Sequence, residues 1–294
     1  MAMNGAYFND LDAAGQQSAL ANIPGSATTD YILSNLNVPS GTKADIGYGW
    51  NPDRVLARDG KVTPEIGKIL IPIVQAGVTT GKCQRVWLAI GGAATAPFKN
   101  IQTILDTGGP LKSTLLANFR AIVQAVKDAG AKDIGFDMDY GEDPRLLPLR
   151  VSNVTSALYD ELKCPVTFCA NQRLEFGQSA WIVTLRQVYA NLGRTQCVVG
   201  CNLQTYAGGT GNVPAEWVDA IKKTGGTGVT DPAAFVWPVV SCDDTAQPVT
   251  PAAELAQKLK GWQSKGASLW AMQPLGQKPA DLKAYSAAIA QGIA

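Results

Sequence analysis

Strand-like and helix-like patterns alternate along the whole chain, and this alternation most constrains the fold. Short apolar runs, rich in β-branched and aromatic residues and mostly bounded by Gly or Pro, predict strands. Several are apolar without a break, which is typical of parallel strands buried on both faces. The predicted strands are Ala6–Phe8, Tyr31–Leu36, Arg85–Ile90, Asp133–Tyr140, Val166–Ala170, Cys197–Thr205, Phe235–Val240 and Ser268–Met272.

Helical patterns fill the intervals between these runs. Apolar periodicity, Pro at helix starts and Gly at helix ends predict the helices Pro64–Gln75, Ser113–Ala129, Val151–Leu162, Ser179–Leu192, Pro214–Lys223, Pro251–Ser264 and Pro279–Gly292, with a weaker one over Asp12–Ala21. The sequence therefore predicts an α/β fold, a single (β/α)8 TIM barrel forming one domain over residues 1–294. An open doubly wound sheet is disfavoured, because no Gly-rich phosphate loop follows the first strand.

Composition excludes several kinds of chemistry. The 294 residues include no histidine, which excludes Ser-His-Asp triads, histidine bases and histidine-ligated metals. With 25 Lys and Arg against 24 Asp and Glu, the net charge is +1, so we expect no nucleic-acid partner and no anionic membrane surface as a partner. We also expect no cofactor and no metal, because a carboxylate-lined metal site is the less favoured interpretation of the acidic cluster described below.

The chain ends and the cysteines leave the compartment open. Residues 1–12 have neither the cationic nor the apolar part of a signal peptide, and no apolar run reaches the roughly 18 residues of a membrane span. A secreted protein whose signal peptide has been removed remains an alternative. The six cysteines include no CxxC pair, and they are interpreted as buried thiols, with one or two disulfides as the alternative.

In this fold the active site lies at the carboxyl ends of the strands, and the fourth predicted strand ends in an unusual way. Asp137 and Asp139 are two residues apart, so both side chains point to one face of the strand. The outer face of a barrel strand is covered by helices, and burying two carboxylates there is costly. We therefore expect both to face the barrel mouth, where like charges raise at least one pKa. The alternative is a solvated pair near the next helix, and Asp143 before Pro144 is expected to cap that helix.

Four strand ends together resemble glycoside hydrolase family 18, which contains chitinases and endo-β-N-acetylglucosaminidases. The family signature DxxDxDxE on the fourth strand is similar to the segment around Asp137 and Asp139. The SxGG of the third strand resembles the segment that ends in Gly91 and Gly92. The remaining matches are Gln204-Thr205-Tyr206 on the sixth strand and Trp270 on the eighth.

The chain departs from the family pattern at three places. Ile134 stands at the first Asp of the signature, and Ala89 replaces the serine of SxGG. Gly141 occupies the position of the catalytic Glu, and Glu142 follows one residue later. If Gly141 forms a β-bulge, Glu142 returns to the face of the two aspartates; if it does not, the acid is missing.

The resemblance implies substrate-assisted hydrolysis, in which the N-acetyl group of the substrate attacks the anomeric carbon. Glu142 would protonate the leaving oxygen and later activate water. Asp139 would orient the N-acetyl group, with Asp137 modulating its charge. Tyr206 would donate a hydrogen bond to the acetamido oxygen. Among the substrate-binding residues, Gln204 would contact the sugar and Trp270 would lie under the ring, with barrel core as its alternative. Gly91 and Gly92 are also assigned to substrate binding, with a tight turn after the strand as their alternative.

Two functions follow from this resemblance. The first is a chitinase-like hydrolase of β-linked N-acetylglucosamine glycans, whose partner is an oligosaccharide or polysaccharide containing that sugar. The second, supported by Gly141 and the other departures, is a catalytically inactive relative such as a lectin, a storage protein or an inhibitor. A barrel enzyme of another class is the least favoured, because an anionic strand end near Asp243 and Asp244 repels phosphate.

Overall fold

Eight parallel strands form a closed barrel, which confirms the predicted (β/α)8 fold. The computed structural model describes residues 2–9, 13–41, 43–49, 51–92, 95–175, 177–242, 246–271 and 281–293. Each predicted run contributes one strand, although Met272 lies outside the described residues. The barrel strands are β1 (Asn4–Asn9), β2 (Asp30–Asn37), β6 (Arg85–Gly91), β7 (Asp133–Asp139), β8 (Val166–Ala170), β9 (Val198–Gln204), β10 (Val236–Ser241) and β11 (Ala267–Trp270), numbered with three further strands introduced below.

The barrel closes where the first strand pairs on both sides. β1 pairs in parallel with β2 and with β11, and the remaining barrel strands follow in chain order. Helices cover the outside, and a large apolar core lies between them and the strands. They are α1 (Ala13–Asn22), α2 (Pro64–Ile69), α3 (Ile71–Thr79), α4 (Pro97–Thr107), α5 (Gly109–Asp128), α6 (Leu147–Leu162), α7 (Ala180–Asn191), α8 (Pro214–Thr224), α9 (Pro232–Phe235), α10 (Ala252–Gly261) and α11 (Leu282–Gly292).

The helices differ from the prediction in three places, one of which is the short helix α9, which was not predicted. The predicted helix Pro64–Gln75 is two helices, α2 and α3, which meet at Leu70 just before Pro72; proline has no N–H to continue the ladder. Helix α4 was not predicted at all. It begins at Pro97, and its N-cap position is Ala96, whose side chain makes no capping hydrogen bond. The first N–H groups of α4 therefore need acceptors from elsewhere in the chain.

A small antiparallel extension follows β2 and was also not predicted. It consists of β3 (Ile46–Tyr48), β4 (Asn51–Arg58) and β5 (Lys61–Val62), and β3 pairs with the carboxyl end of β2. Asn118 of α5 holds this extension at two points. Its amide donates to the carbonyl of Ala44 and accepts from the N–H of Gly60, both at 2.7 Å. The extension is therefore fixed to the helical layer beside the mouth.

Two tryptophans fill the lower barrel interior because glycines on neighbouring strands leave room for them. A Cβ on Gly135 would lie 2.3 Å from the Trp87 ring, and one on Gly200 would lie 2.1 Å from the Trp237 ring. Both rings belong to the interior cluster, together with Tyr7. Large rings beside glycines thus fill the amino end of the barrel, where Trp87 Nε1 donates to the buried Asp30 carboxylate at 3.1 Å.

All six cysteines are free thiols, and four of them are buried. Within the part of the chain that the structure describes, no helix combines the length and the apolar character needed to cross a membrane.

The glycine–tryptophan contacts give a testable prediction. Gly135→Ala should lower the free energy of unfolding by roughly 1–3 kcal/mol, because the added methyl group overlaps the Trp87 ring and the carbonyl of Pro165. Gly67→Ala in α2 is the control, since a Cβ there meets nothing within 4 Å and alanine favours a helix. Urea unfolding measures both variants. Equal stability of the two would contradict this account of the interior.

Candidate functional site

The Asp137 carboxylate lies at the centre of the barrel interior and is fully buried. It accepts hydrogen bonds from three neighbouring side chains: Tyr7 Oη at 2.9 Å, Thr167 Oγ1 at 2.7 Å and Asn202 Nδ2 at 3.0 Å. Burial raises its pKa, and these donors oppose the rise. Three donors from three strands satisfy both carboxylate oxygens.

Asp139 lies beside Asp137, one layer closer to the mouth, and is 5% exposed. Burial first, and then the charge of Asp137, raise the pKa of Asp139 to about 7, while a hydrogen bond with the Cys169 thiol lowers it. With fewer donors than Asp137, Asp139 is the member of the pair that takes up a proton. The two aspartates thus face the interior together, as the spacing of two predicts.

Three aromatic side chains lie together at the mouth. Trp270 at the end of β11 is half-buried between Tyr7 and Tyr206, with ring centroids 5.3 Å and 6.1 Å away. The Tyr206 hydroxyl is buried and has no hydrogen-bond partner among the described residues. Burial raises the pKa of Tyr206 far above its ordinary value, and the nearby Cys169 and Asp139 add to the rise. This hydroxyl therefore remains a hydrogen-bond donor.

Gly91 and Gly92 let other groups approach the mouth closely. Both have positive φ, +104° and +109°. A Cβ on Gly91 would lie 2.0 Å from the Asp139 carbonyl oxygen, and one on Gly92 would lie 2.8 Å from Asn35 Nδ2. Only glycine fits this backbone conformation and spacing.

Gln204 ends β9, and its amide donates to Cys169 Sγ at 3.4 Å.

Glu142 is not brought to the aspartate pair. Its Oε1 accepts from the N–H of Phe98 at 2.8 Å, and both of its oxygens accept from the N–H of Lys99 at 3.1 Å. Oε2 also pairs with Arg150 Nη1 at 2.7 Å, and the Glu142 side chain is only 6% exposed. Glu142 therefore supplies the acceptors that the uncapped amino end of α4 lacks.

No bulge redirects the fourth barrel strand toward the mouth. β6 and β7 pair in unbroken register up to Gly91 and Asp139, where β7 ends, so Gly141 lies beyond the strand. The geometric condition that would have returned Glu142 to the aspartates is not met. Asp143 caps the turn at Arg145 and pairs with its guanidinium at 2.7 Å, as expected of a helix-capping residue.

The residues that hold the aspartates escaped the sequence analysis. Four side chains on β1, β8 and β9 hydrogen-bond to the pair: Tyr7, Thr167, Cys169 and Asn202. Alternation along these strands was the available signal, since it places every second residue in the interior. In the described ranges, no three His, Cys, Asp or Glu side chains converge as a metal site requires.

A cleft of about 930 Å³ lies beside the mouth at the carboxyl ends of β8 and β9. Asn171 and Gly208, which follow these strands, line one side, and Arg145, Arg173 and Glu175 lie farther out. A surface groove lined by several polar side chains therefore lies at this part of the rim.

The contacts of Glu142 predict a structural effect. Glu142→Gln should lower the free energy of unfolding by roughly 1–3 kcal/mol, because Arg150 loses its charged partner in a poorly hydrated position. Asp143→Asn is the control, since its ion pair is exposed and the new amide oxygen still caps; we expect a change of less than about 1 kcal/mol. Chemical denaturation measures both, and an unchanged Glu142→Gln variant would contradict the anchoring role.

The raised pKa of Asp139 predicts that the stability of the fold depends on pH. The folded protein keeps its proton up to about pH 7, whereas the unfolded chain releases it near 3.8. The unfolded state then binds fewer protons between these values, so this contribution to stability is complete below pH 3.8 and is lost as the pH rises through 7. Relative to Asp139→Asn, the wild type should lose stability between pH 5 and pH 8. A constant difference between the two unfolding free energies would contradict the shifted pKa.

Comparison with known proteins places the fold among solved structures. No protein-family model matches the chain, and no curated protein matches it. A GH18 chitinase from Pseudoalteromonas aurantia superposes with a TM-score of 0.63 at 15% identity, covering 98% of each chain. A mutant GH18 chitinase from Cycas revoluta in complex with (GlcNAc)4 gives 0.59 at 9% identity, covering 96% of this chain and 98% of that one. A chitinase-like agglutinin from Robinia pseudoacacia gives 0.60 at 10%, covering 99% and 100%. The chain therefore shares the barrel fold of solved GH18 chitinases and of a chitinase-like agglutinin.

Proposed function

We propose that this protein is a chitinase-like carbohydrate-binding protein that holds β-linked N-acetylglucosamine oligosaccharides in the barrel mouth without cleaving them. One observation carries the proposal: the Glu142 carboxylate is committed to the amino end of α4 and to Arg150. The family acid position is Gly141, which has no proton to give. Among the described residues, no glutamate accompanies the aspartate pair.

The anchoring of Glu142 is costly to undo. Moving its carboxylate to the mouth would leave Arg150, whose side chain is 16% exposed, without its charged partner. It would also leave the N–H groups of Phe98 and Lys99 without their acceptor. Breaking such a buried pair costs about 3–5 kcal/mol. Placing Glu142 beside the sugar would therefore destabilise its contacts with α4 and α6.

The remaining site residues suit recognition of an N-acetylated sugar. The half-buried Trp270 ring offers an apolar face to a pyranose ring. The unpartnered Tyr206 hydroxyl and a protonated Asp139 offer donors to an acetamido oxygen. Gln204 and the backbone at Gly91 and Gly92 complete the proposed binding residues, and Asp137 fixes the charge beside Asp139. The Cycas enzyme with (GlcNAc)4 and the Robinia agglutinin support both halves of the proposal, a sugar ligand on this fold and a relative named for binding.

Hydrolysis is the second candidate, and one observation favours it. Asp139 has a pKa of about 7 and faces the mouth, so it is able to donate a proton near neutral pH. In such an enzyme Asp139, and not Glu142, would serve as the acid.

We also propose that residues 1–294 form one domain, because the barrel and its helices span the chain from Asn4 to Gly292.

Binding and cleavage are separated by one set of assays. We expect chitotetraose to bind in calorimetry, with no shorter products after prolonged incubation with it or with colloidal chitin. Trp270→Ala should weaken binding at least about tenfold, because the stacking face is lost. Glu142→Gln, measured under conditions where it is folded, should keep the wild-type affinity.

Each contrary result identifies a different failure. Products that disappear in Glu142→Gln would overturn the proposal and restore Glu142 as the acid. Products that persist in Glu142→Gln and disappear in Asp139→Asn would establish the second candidate. No binding of chito-oligosaccharide by the wild type would overturn both.

A further inference from the structure

The carboxyl ends of β1 and β2 bring three polar side-chain atoms together without protein partners. They are Asn9 Oδ1, Ser34 Oγ and Asn35 Oδ1, each buried and without a hydrogen bond to any described residue. Asn9 and Ser34 are direct neighbours in the register of the two strands. Ser34 is 0% exposed and Asn35 is 2% exposed. We call these three residues the polar edge.

The polar edge faces the mouth. Tyr7 belongs to the interior cluster, and Asn9 lies two residues farther along β1, so strand alternation gives it the same face. In β2 the register with β6 shifts between Leu33 and Leu36, which both pack in the outer core, so Ser34 and Asn35 form a bulge directed away from that core. Asn35 lies against Gly92, where a Cβ would come within 3.1 Å of its Oδ1. The side chain thus occupies the space that the missing Cβ of Gly92 leaves, beside the backbone that approaches Asp139.

Such atoms destabilise the fold unless something binds them. A buried polar atom without a partner loses its hydrogen bonds to water and gains none in exchange. Three of them on adjacent residues form an uncompensated group at the carboxyl ends of the strands, which is the end where barrels of this fold bind their ligands. All three are oxygens that accept hydrogen bonds, which fits the hydroxyl groups of a sugar.

The position of the polar edge around the barrel determines which part of a sugar it meets. Trp270 on β11 lies next to β1, and its ring contacts Tyr7. Asp139 and Tyr206 belong to the other side of the mouth, on β7 and just after β9. A pyranose ring stacked on Trp270 with its acetamido group toward Asp139 and Tyr206 presents its opposite edge to β1 and β2.

We propose that the polar edge is a hydroxyl-recognition subsite, in which Asn9, Ser34 and Asn35 accept hydrogen bonds from the ring edge opposite the N-acetyl group. This rests on the proposed function and adds to it the residues that select a hydroxylated sugar. The site then reads two chemical features of one sugar, an acetamide on one side and hydroxyls on the other.

Ser34→Ala and Asn35→Ala test this proposal with chitotetraose as the ligand. Each variant should weaken binding roughly three- to tenfold, the loss of one neutral hydrogen bond. Ser34→Ala should also unfold at an equal or higher urea concentration than the wild type, because an unpartnered hydroxyl is removed from the interior. Weaker binding by a protein that is no less stable is a result that a purely structural role of Ser34 does not produce.

Thr155→Val is the matched control. Thr155 Oγ1 on α6 is also buried and without a described partner, but it lies in a helix outside the barrel mouth. We expect this variant to be at least as stable as the wild type and to bind the sugar with unchanged affinity. Weakened binding by Thr155→Val as well would show that the effect is not local, and would overturn the subsite.

The outcomes separate the two proposals. Wild-type binding that both Ser34→Ala and Asn35→Ala retain in full overturns the polar edge alone and leaves the proposed function intact. Absence of wild-type binding overturns the proposed function, and the subsite with it. If Asn35→Ala does not fold, Ser34→Ala decides the matter by itself.

Discussion

A buried carboxylate organises the upper interior of this barrel. Asp137 is out of contact with water, and its charge is compatible with that position only because Tyr7, Thr167 and Asn202 donate to it. Those donors come from β1, β8 and β9, so one group ties together strands on opposite sides of the barrel. Burial first, and then this charge, raise the pKa of Asp139, which lies one layer closer to the mouth. The chemistry offered at the mouth therefore depends in part on a group one layer below, which no ligand needs to touch.

Glu142 illustrates how a motif changes its purpose when one residue shifts. If the glutamate stood at position 141, its carboxylate would belong to the family signature. At position 142 it caps the start of α4 instead, where it accepts from the N–H of Phe98, 44 residues earlier in the chain. Helix α4 has Ala96 at its N-cap position and depends on this distant acceptor. Glu142, the acid nearest to the signature, is therefore a structural anchor of α4. This is why the resemblance in sequence and the arrangement in space support different functions.

The sequence predicted the parts of the fold that follow from local pattern. All eight barrel strands came from apolar runs, and the shared face of Asp137 and Asp139 came from their spacing. The extension after β2 was missed because β3 and β5 have only three and two residues, and because β4 begins with the polar, proline-containing segment Asn51–Arg54. Helix α4 was missed although Phe98, Ile101 and Ile104 repeat at helical spacing.

The rest depends on tertiary contacts that no local pattern contains. The position of Glu142 could not be predicted, because its partners are backbone N–H groups of an element whose existence was not predicted. The donors to Asp137 are single residues on three strands, and only the closure of the barrel brings them to one point. The same holds for Gly135, which is required by a ring on the adjacent strand.

The attachment of the antiparallel extension has a consequence for how a ligand enters. Asn118 joins it to α5 through the backbone at Ala44 and Gly60, both with short hydrogen bonds. These two hydrogen bonds hold the described part of the extension against α5. The rim beside β2 is thus preorganised, and a ligand that binds against it would lose little affinity to rearrangement of the protein.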